Sequence, residues 1–149
     1  MKKTFLIFIA MLTSINGIAA QKSFPPKEKQ AILIIKQESW QIKEKDVKKA
    51  LKAIGIFLRN EKAHENIGKY EKIQIKYISD NFNTYNVQFI PRTINGSKII
   101  YCNFFKPASI YPNWKTEETL VIDGGNSFWQ IEYNIETGKC SNFNVNSTG

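Results

Sequence analysis

The side chains that could do acid–base or nucleophilic chemistry are few in this 149-residue chain and lie far apart in the sequence. His64 is the only histidine, and it lies in a polar stretch between Glu61 and Glu65. One histidine without nearby cysteines does not make an ordinary zinc site, and as a general base it would need a nucleophile that the sequence does not place. We therefore expect His64 to be an exposed loop residue, and we expect neither a metal nor a cofactor.

Asp123 is the strongest remaining candidate for a catalytic carboxylate, because it precedes the Gly124-Gly125 pair. The spaced acidic residues of an EF-hand calcium loop are missing around it. Aspartate before glycine is also a common turn former, and we favour that role. In an enzyme, Asp123 would lie in a cleft within hydrogen-bond reach of a tyrosine or His64; in a turn, it would cap backbone N–H groups.

Two cysteines, Cys102 and Cys140, follow the N-terminal region. A disulfide between them is the favoured expectation, against two unpaired thiols. Strict alternation places Cys140 on the side of its strand opposite Phe143 and Val145, away from the core. A direct bridge therefore requires Cys102 to point to that same side.

The N-terminus has the layout of a secretory signal peptide. Lys2 and Lys3 precede an apolar run, and small residues at Ala19 and Ala20 precede polar Gln21. The run is short for a membrane span, so a retained transmembrane anchor is the less favoured alternative. We predict a signal peptide over 1–20, an extended lead-in over 21–30 and a single domain over 31–149, with a periplasmic or secreted product.

The formal charge of +8 is unevenly distributed along the chain. Residues 21–76 contain 14 Lys or Arg against 7 Asp or Glu, whereas residues 77–149 contain 5 against 6. We expect Lys48, Lys49, Lys52 and Arg59 to lie on an exposed helix face, where they would either attract an anionic envelope component or serve only as a solvated surface. Nothing in the sequence indicates specific binding of nucleic acid.

One segment has a clear helical period, with apolar residues from Val47 to Leu58 recurring on one face. Lys43 is its predicted cap, Asp46 then falls at the third helical position, and the helix should end near Asn60. The run from Ala31 to Ile35 is compatible with a strand or with a buried helix turn, and we favour the strand.

The remaining chain alternates with a period of two and predicts antiparallel strands. The Asn95-Gly96 pair is the strongest hairpin signal. Val121 to Tyr133, turning at Gly124-Gly125, is expected to form the hairpin around which the sheet is built. A longer loop over 106–116 is expected to expose Tyr111 and Trp114. The other predicted strands and turns are Ile73 to Tyr77, Tyr85 to Ile90, Lys98 to Phe105, Thr119 to Ile122, Ser127 to Asn134, Lys139 to Asn146 and the Thr137-Gly138 turn.

These elements predict an α+β fold with one long helix packed on a curved antiparallel sheet of about five to six strands. The order of a short strand, a helix and a meander resembles the cystatin-like fold. The Tyr85 to Phe89, Tyr101 to Phe105 and Asp123 to Gly125 stretches resemble parts of small uncharacterised bacterial exported proteins. Inhibitory cystatins carry a Gln-x-Val-x-Gly hairpin and a Pro-Trp hairpin, which Val87-Gln88-Phe89 and Pro112-Asn113-Trp114 do not match, so cysteine-protease inhibition is not implied.

We expect from the sequence an exported, non-catalytic binding or inhibitor module that uses Tyr111 and Trp114 as aromatic anchors for an unknown partner protein. The alternative is a small hydrolase or isomerase with its pocket on the concave face of the sheet.

Overall fold

The computed structural model describes residues 30–35, 40–106 and 111–148. The predicted signal peptide and residues 21–29 of the predicted lead-in lie outside the described residues. No helix in the described part of the chain is long and apolar enough to cross a membrane.

The fold is α+β, with a five-stranded mixed sheet and two α-helices in the described residues. The strands follow one another across the sheet in chain order; the first pairs parallel to the second, and the other pairs are antiparallel. The predicted class is confirmed, but the structure has two helices instead of one and a sheet that is not wholly antiparallel. The elements are β1 (Ile32–Ile34), α1 (Glu44–Arg59), α2 (Lys69–Asp80), β2 (Asn86–Ile94), β3 (Ser97–Phe105), β4 (Phe128–Asn134) and β5 (Cys140–Val145).

Helix α1 forms where the helical period predicts it. The Lys43 N–H donates a hydrogen bond to Asp46 Oδ2 at 3.2 Å, which satisfies a backbone donor at the helix start. At the other end, the Asn60 N–H donates to the Phe57 carbonyl. The face of α1 that packs on the sheet is fully or almost fully buried and consists of Val47, Ala50, Ile54 and Leu58.

Helix α2 replaces the strand predicted over Ile73 to Tyr77, so that prediction is wrong. Ile75 and Ile78, three positions apart, are buried, whereas Ile73 is 65% exposed and Tyr77 is 47% exposed. Only a helix places residues three apart on one face. The alternation of isoleucine with polar residues is typical of a strand. It is misleading here because Ile73 is exposed and does not contribute to the core.

Helices and sheet enclose a core built around Trp129 of β4. Its ring stacks on Phe104 of β3, with centroids 3.9 Å apart and planes 1° from parallel. Tyr85 packs edge-on against the same indole at 5.6 Å. As predicted, Trp129, Ile131 and Tyr133 share one face of β4, and that face is turned toward the helices.

The two turns with the clearest sequence signals are confirmed. Asn95 has φ 50° and Gly96 has φ 81°, and they join β2 to β3 with Ile94 paired to Ser97. Gly138, with φ 69°, turns the chain between β4 and β5. Both connections need the left-handed conformation that glycine and asparagine tolerate.

The predicted hairpin over Val121 to Tyr133 has only its second arm. Gly124 and Gly125 have positive φ values of 102° and 55°, as the turn signal indicates. The arm before them, Thr119 to Ile122, belongs to no strand, so that strand prediction is wrong.

A bulge in β5 overturns the prediction of the strand face on which Cys140 lies. Gln130 pairs with Asn144 and Glu132 with Ser141, so two residues of β5 oppose the single Ile131 of β4. Asn142 sits in the bulge with φ 51°. The extra residue places Cys140 on the same face as Phe143 and Val145, which is the helix side.

The predicted disulfide is wrong, because Cys102 and Cys140 are both free thiols. Cys102 is in β3 and Cys140 is in β5, with β4 between them. Two strand spacings amount to roughly 10 Å, beyond the roughly 7 Å limit on the Cα separation of a disulfide.

Candidate functional site

A row of four amide side chains crosses the sheet on the face away from the helices. Gln88, Asn103, Gln130 and Asn144 lie directly opposite one another on β2 to β5. Asn103 Nδ2 donates to Gln88 Oε1 at 3.2 Å, Gln130 Nε2 to Asn103 Oδ1 at 3.4 Å, and Asn144 Nδ2 to Gln130 Oε1 at 3.0 Å. We call these four residues the amide row.

The first residue of the amide row fixes the segment 111–123, which we call the 111–123 loop. Gln88 Nε2 donates to the carbonyl oxygens of Trp114 and, at 2.7 Å, Glu117. Gln88 Oε1 accepts from the Thr119 N–H at 2.9 Å. Since Gln88 is fully buried, these bonds replace solvent around the loop backbone.

The next part of the loop is held through alternate carbonyl oxygens. Asn103 Nδ2 donates to the Thr119 carbonyl at 2.8 Å. Asn146 Nδ2 donates to the Val121 carbonyl at 2.6 Å and to the Asp123 carbonyl at 3.3 Å. Residues 119–123 are thus fastened to the sheet by side chains and not by strand pairing.

Because the backbone is held in this way, two large aliphatic side chains point into solvent. Thr119 is buried and Val121 is half-buried, whereas Leu120 is 81% exposed and Ile122 is 93% exposed. Leu120 and Ile122 thus contribute nothing to the core, although the backbone that carries them is fixed. The exposure of neither residue follows from the sequence, because Thr-Leu-Val-Ile is also typical of a buried strand.

The predicted aromatic anchors lie beside Leu120 and are half-buried. Tyr111 packs edge-on against Phe105 and Phe128, at 6.0 and 5.5 Å, and Trp114 packs on Phe105 at 5.6 Å. The exposed parts of Tyr111, Trp114 and Leu120 line a shallow groove of about 180 Å³. Burial, followed by the nearby Asp123 carboxylate, raises the pKa of Tyr111.

Acidic residues border this groove. Glu118 is held by Arg92, whose Nη2 lies 2.9 Å from Glu118 Oε1 and whose guanidinium covers the Tyr101 ring. Glu117 and Asp123 are exposed and form no ion pair within the described part of the chain. Among the described hydrogen bonds, the Asp123 carboxylate caps no N–H, and the Asp123 carbonyl accepts from Asn146 Nδ2 at 3.3 Å.

His64 is predicted to be an exposed loop residue, but in the structure it is half-buried. Its Nε2 lies 2.7 Å from the Phe57 carbonyl, and its ring meets the Phe57 ring edge-on at 5.2 Å. A carbonyl can only accept, so Nε2 carries a proton. His64 therefore helps to close the end of α1, on the helix side of the sheet, and is not close to the 111–123 loop.

The alternative of a small hydrolase or isomerase with its pocket on the concave face of the sheet calls for a carboxylate buried in a cleft. Among the described residues the buried carboxylate is Asp46, which accepts the Lys43 N–H at the start of α1. No group of three or more His, Cys, Asp or Glu in the described ranges is arranged to hold a metal ion.

A second concave surface separates the end of α1 from β5. It consists of two adjoining grooves of about 410 and 550 Å³ that share Phe57, Ala63 and Cys140. Burial raises the pKa of Cys140 to about 12, and burial also raises the pKa of Cys102. Both thiols are therefore protonated at neutral pH and poor nucleophiles.

The four predicted basic residues, Lys48, Lys49, Lys52 and Arg59, all lie on the exposed face of α1. Lys48 forms a 2.7 Å ion pair with Glu44 one turn earlier. These residues and the 111–123 loop lie on opposite faces of the sheet.

No protein-family model, curated protein sequence or solved structure matches this chain.

Proposed function

We propose that this chain is an exported, non-catalytic binding module that recognises a partner protein through the 111–123 loop. The observation that carries the proposal is the exposure of Leu120 and Ile122 on a backbone fixed by buried amides. A fixed loop loses little conformational entropy on binding, which is why preorganised surfaces bind more tightly than mobile ones.

The border of the surface defines the chemistry of the partner. Glu117 and Asp123 flank the two aliphatic side chains and form no ion pair within the described chain. The complementary surface is an apolar groove flanked by lysine or arginine. Tyr111 and Trp114, both half-buried, line the groove beside Leu120, where they would add aromatic contacts at the rim.

Two features of the sequence support the wider proposal. The 1–20 pattern supports export, and the order of strand, helix and antiparallel strands supports a cystatin-like arrangement to which a second helix has been added. The motifs of inhibitory cystatins remain unmatched, so we propose recognition without protease inhibition.

The test is quantitative capture of envelope proteins on the immobilised chain. Burying one leucine or isoleucine is worth about 1.5–3 kcal/mol, so Leu120→Asn/Ile122→Asn should weaken capture by more than tenfold. Thr93→Asn/Ile94→Asn is the control, because it changes two exposed residues at the end of β2, outside both the 111–123 loop and the helices. Thermal unfolding of both variants should match the parent chain. Equal capture by the two double variants would contradict the proposal.

A further inference from the structure

The helix side of the protein carries a surface that the proposed function does not use. On α1, Ile56 is 52% exposed and lies among exposed basic residues one turn away on either side, Lys52 and Arg59. Residues three or four apart share a helix face, so the isoleucine and the cations form one stripe. The other exposed cations of α1 are Lys45, Lys48 and Lys49.

Helix α2 repeats the same combination. Ile73 is 65% exposed and Tyr77 is 47% exposed, and they lie among the exposed Lys69, Lys72 and Lys76. Both helices bury their other faces in the same core and pack against one another. Both exposed faces therefore lie on the helix side of the sheet. We call these two exposed faces the helix surface.

The segments that contain the helix surface and the 111–123 loop differ in net charge. Residues 43–80, which contain both helices, have 10 Lys or Arg against 6 Asp or Glu, a net charge of +4. Residues 111–148, which include the loop on the opposite side, have 2 against 5, a net charge of −3. Within the described chain, Lys49, Lys52 and Lys69 form no ion pair. An anionic plane would thus attract the helix surface and repel the 111–123 loop.

We propose that the helix surface binds an anionic lipid bilayer, with the lysines at the headgroup phosphates and Ile56, Ile73 and Tyr77 at the boundary of headgroups and acyl chains. Basic residues together with exposed aliphatic and aromatic side chains are the combination that interfacial helices use. A solvated basic face needs no isoleucine at its centre, and the aromatic ring of tyrosine favours the interface. Bound in this way, the protein presents Leu120 and Ile122 away from the bilayer. The proposal does not depend on what the 111–123 loop recognises.

The test is co-sedimentation of the full chain with vesicles of phosphatidylglycerol and phosphatidylcholine. Pure phosphatidylcholine vesicles give the baseline, which includes the apolar contribution of residues 1–20. One basic residue near an anionic surface changes affinity about fivefold, so reversing a charge with Lys52→Glu should weaken the binding above this baseline roughly 30-fold. Lys115→Glu makes the same change in net charge at an exposed position of the 111–123 loop and should change binding less than threefold.

A second pair of variants tests the apolar part of the surface. Ile73→Asn should weaken vesicle binding at least fivefold, whereas Ile122→Asn should leave it unchanged, although both isoleucines are exposed. Equal losses for Lys52→Glu and Lys115→Glu would overturn the proposal, since attraction would then depend on net charge alone. Two results together would also overturn the proposal: vesicle binding that is unchanged in Ile73→Asn, and binding to soluble heparin that is as tight as binding to vesicles. The helix surface would then be assigned to a soluble polyanion. No vesicle binding above the baseline would overturn it directly.

Discussion

Gln88 of β2 and Asn103 of β3 lie directly opposite one another, both almost completely buried, and Asn103 Nδ2 donates to Gln88 Oε1 at 3.2 Å. A buried amide is costly unless its donors and acceptors are all used. Here Asn103 Oδ1 accepts from Gln130 Nε2, and the other remaining groups are satisfied by the backbone of the 111–123 loop. The pair thus needs the loop, and the loop is ordered by the pair.

Replacing Gln88 should loosen the 111–123 loop. Gln88→Leu leaves the Thr119 N–H and the Trp114 and Glu117 carbonyls without their partner, so we expect a loss of about 2–4 kcal/mol in the free energy of unfolding. Urea unfolding measures the loss, and hydrogen exchange at the Thr119 amide should accelerate. Gln41→Leu, at an exposed position, should stay within about 0.5 kcal/mol of the parent. Slow exchange at Thr119 in the Gln88 variant would contradict this account.

Two glycines should respond to alanine in opposite directions. Gly96 has φ 81° and open space around the position of a Cβ, so Gly96→Ala should cost about 1–2 kcal/mol through backbone strain alone. Gly55 lies inside α1, where an added Cβ would meet the flexible end of Arg59 at 3.4 Å. Gly55→Ala should therefore add up to about 1 kcal/mol, because alanine favours the helix. The midpoints of urea unfolding should move apart, and a shift of both in the same direction would be inconsistent with this explanation.

The two cysteines should be present as unreactive thiols. In the folded protein at pH 8, Cys102 should not react with a thiol reagent and Cys140 should react slowly, while denaturation should release two reactive thiols per chain. Cys140→Ser should leave one. A denatured chain that reveals thiols only after reduction would show that a disulfide forms after all.

The raised pKa of Cys140 also sets a pH dependence of stability. Burial raises that pKa from 9.0 to about 12, so the folded state disfavours the thiolate. The stabilising contribution is complete below pH 9.0 and is lost as the pH rises from 9.0 toward 12. Cys140→Ser should reduce the fall in unfolding free energy measured between pH 8.5 and 10.5. An identical fall in the variant would assign the effect to other groups.

Local signals predicted the parts of the fold that local physics determines. Helix α1 has an uninterrupted apolar stripe and an acidic residue at its start, and the Asn95-Gly96 turn needs only two residues with positive φ. The α1 part of the helix surface follows from the same stripe, since cations opposite a buried face must be exposed.

The parts that the sequence did not reveal depend on partners distant in the chain. Residues 119–123 alternate like a strand, but the donors that hold them are side chains of Asn103 and Asn146. Because of the bulge at Asn142, each residue of β5 before it points to the sheet face opposite to the one that strict alternation predicts. Alternation alone therefore predicts the wrong face for Cys140. The sequence contains the amide residues Gln88, Asn103 and Gln130. Only the register of the strands shows that they lie opposite one another.

The parallel pairing of β1 with β2 has a consequence for the order of folding. The Ala31 N–H bonds the side chain of Asn86, 55 residues later, whereas the other neighbouring strands are joined by much shorter connections. At a synthesis rate of about 5–20 residues per second, β1 is complete roughly 3–11 seconds before its partner strand emerges. For that interval the Ile-Leu-Ile run of β1 has no strand to pair with, so β1 can join the sheet only after both helices have been synthesised.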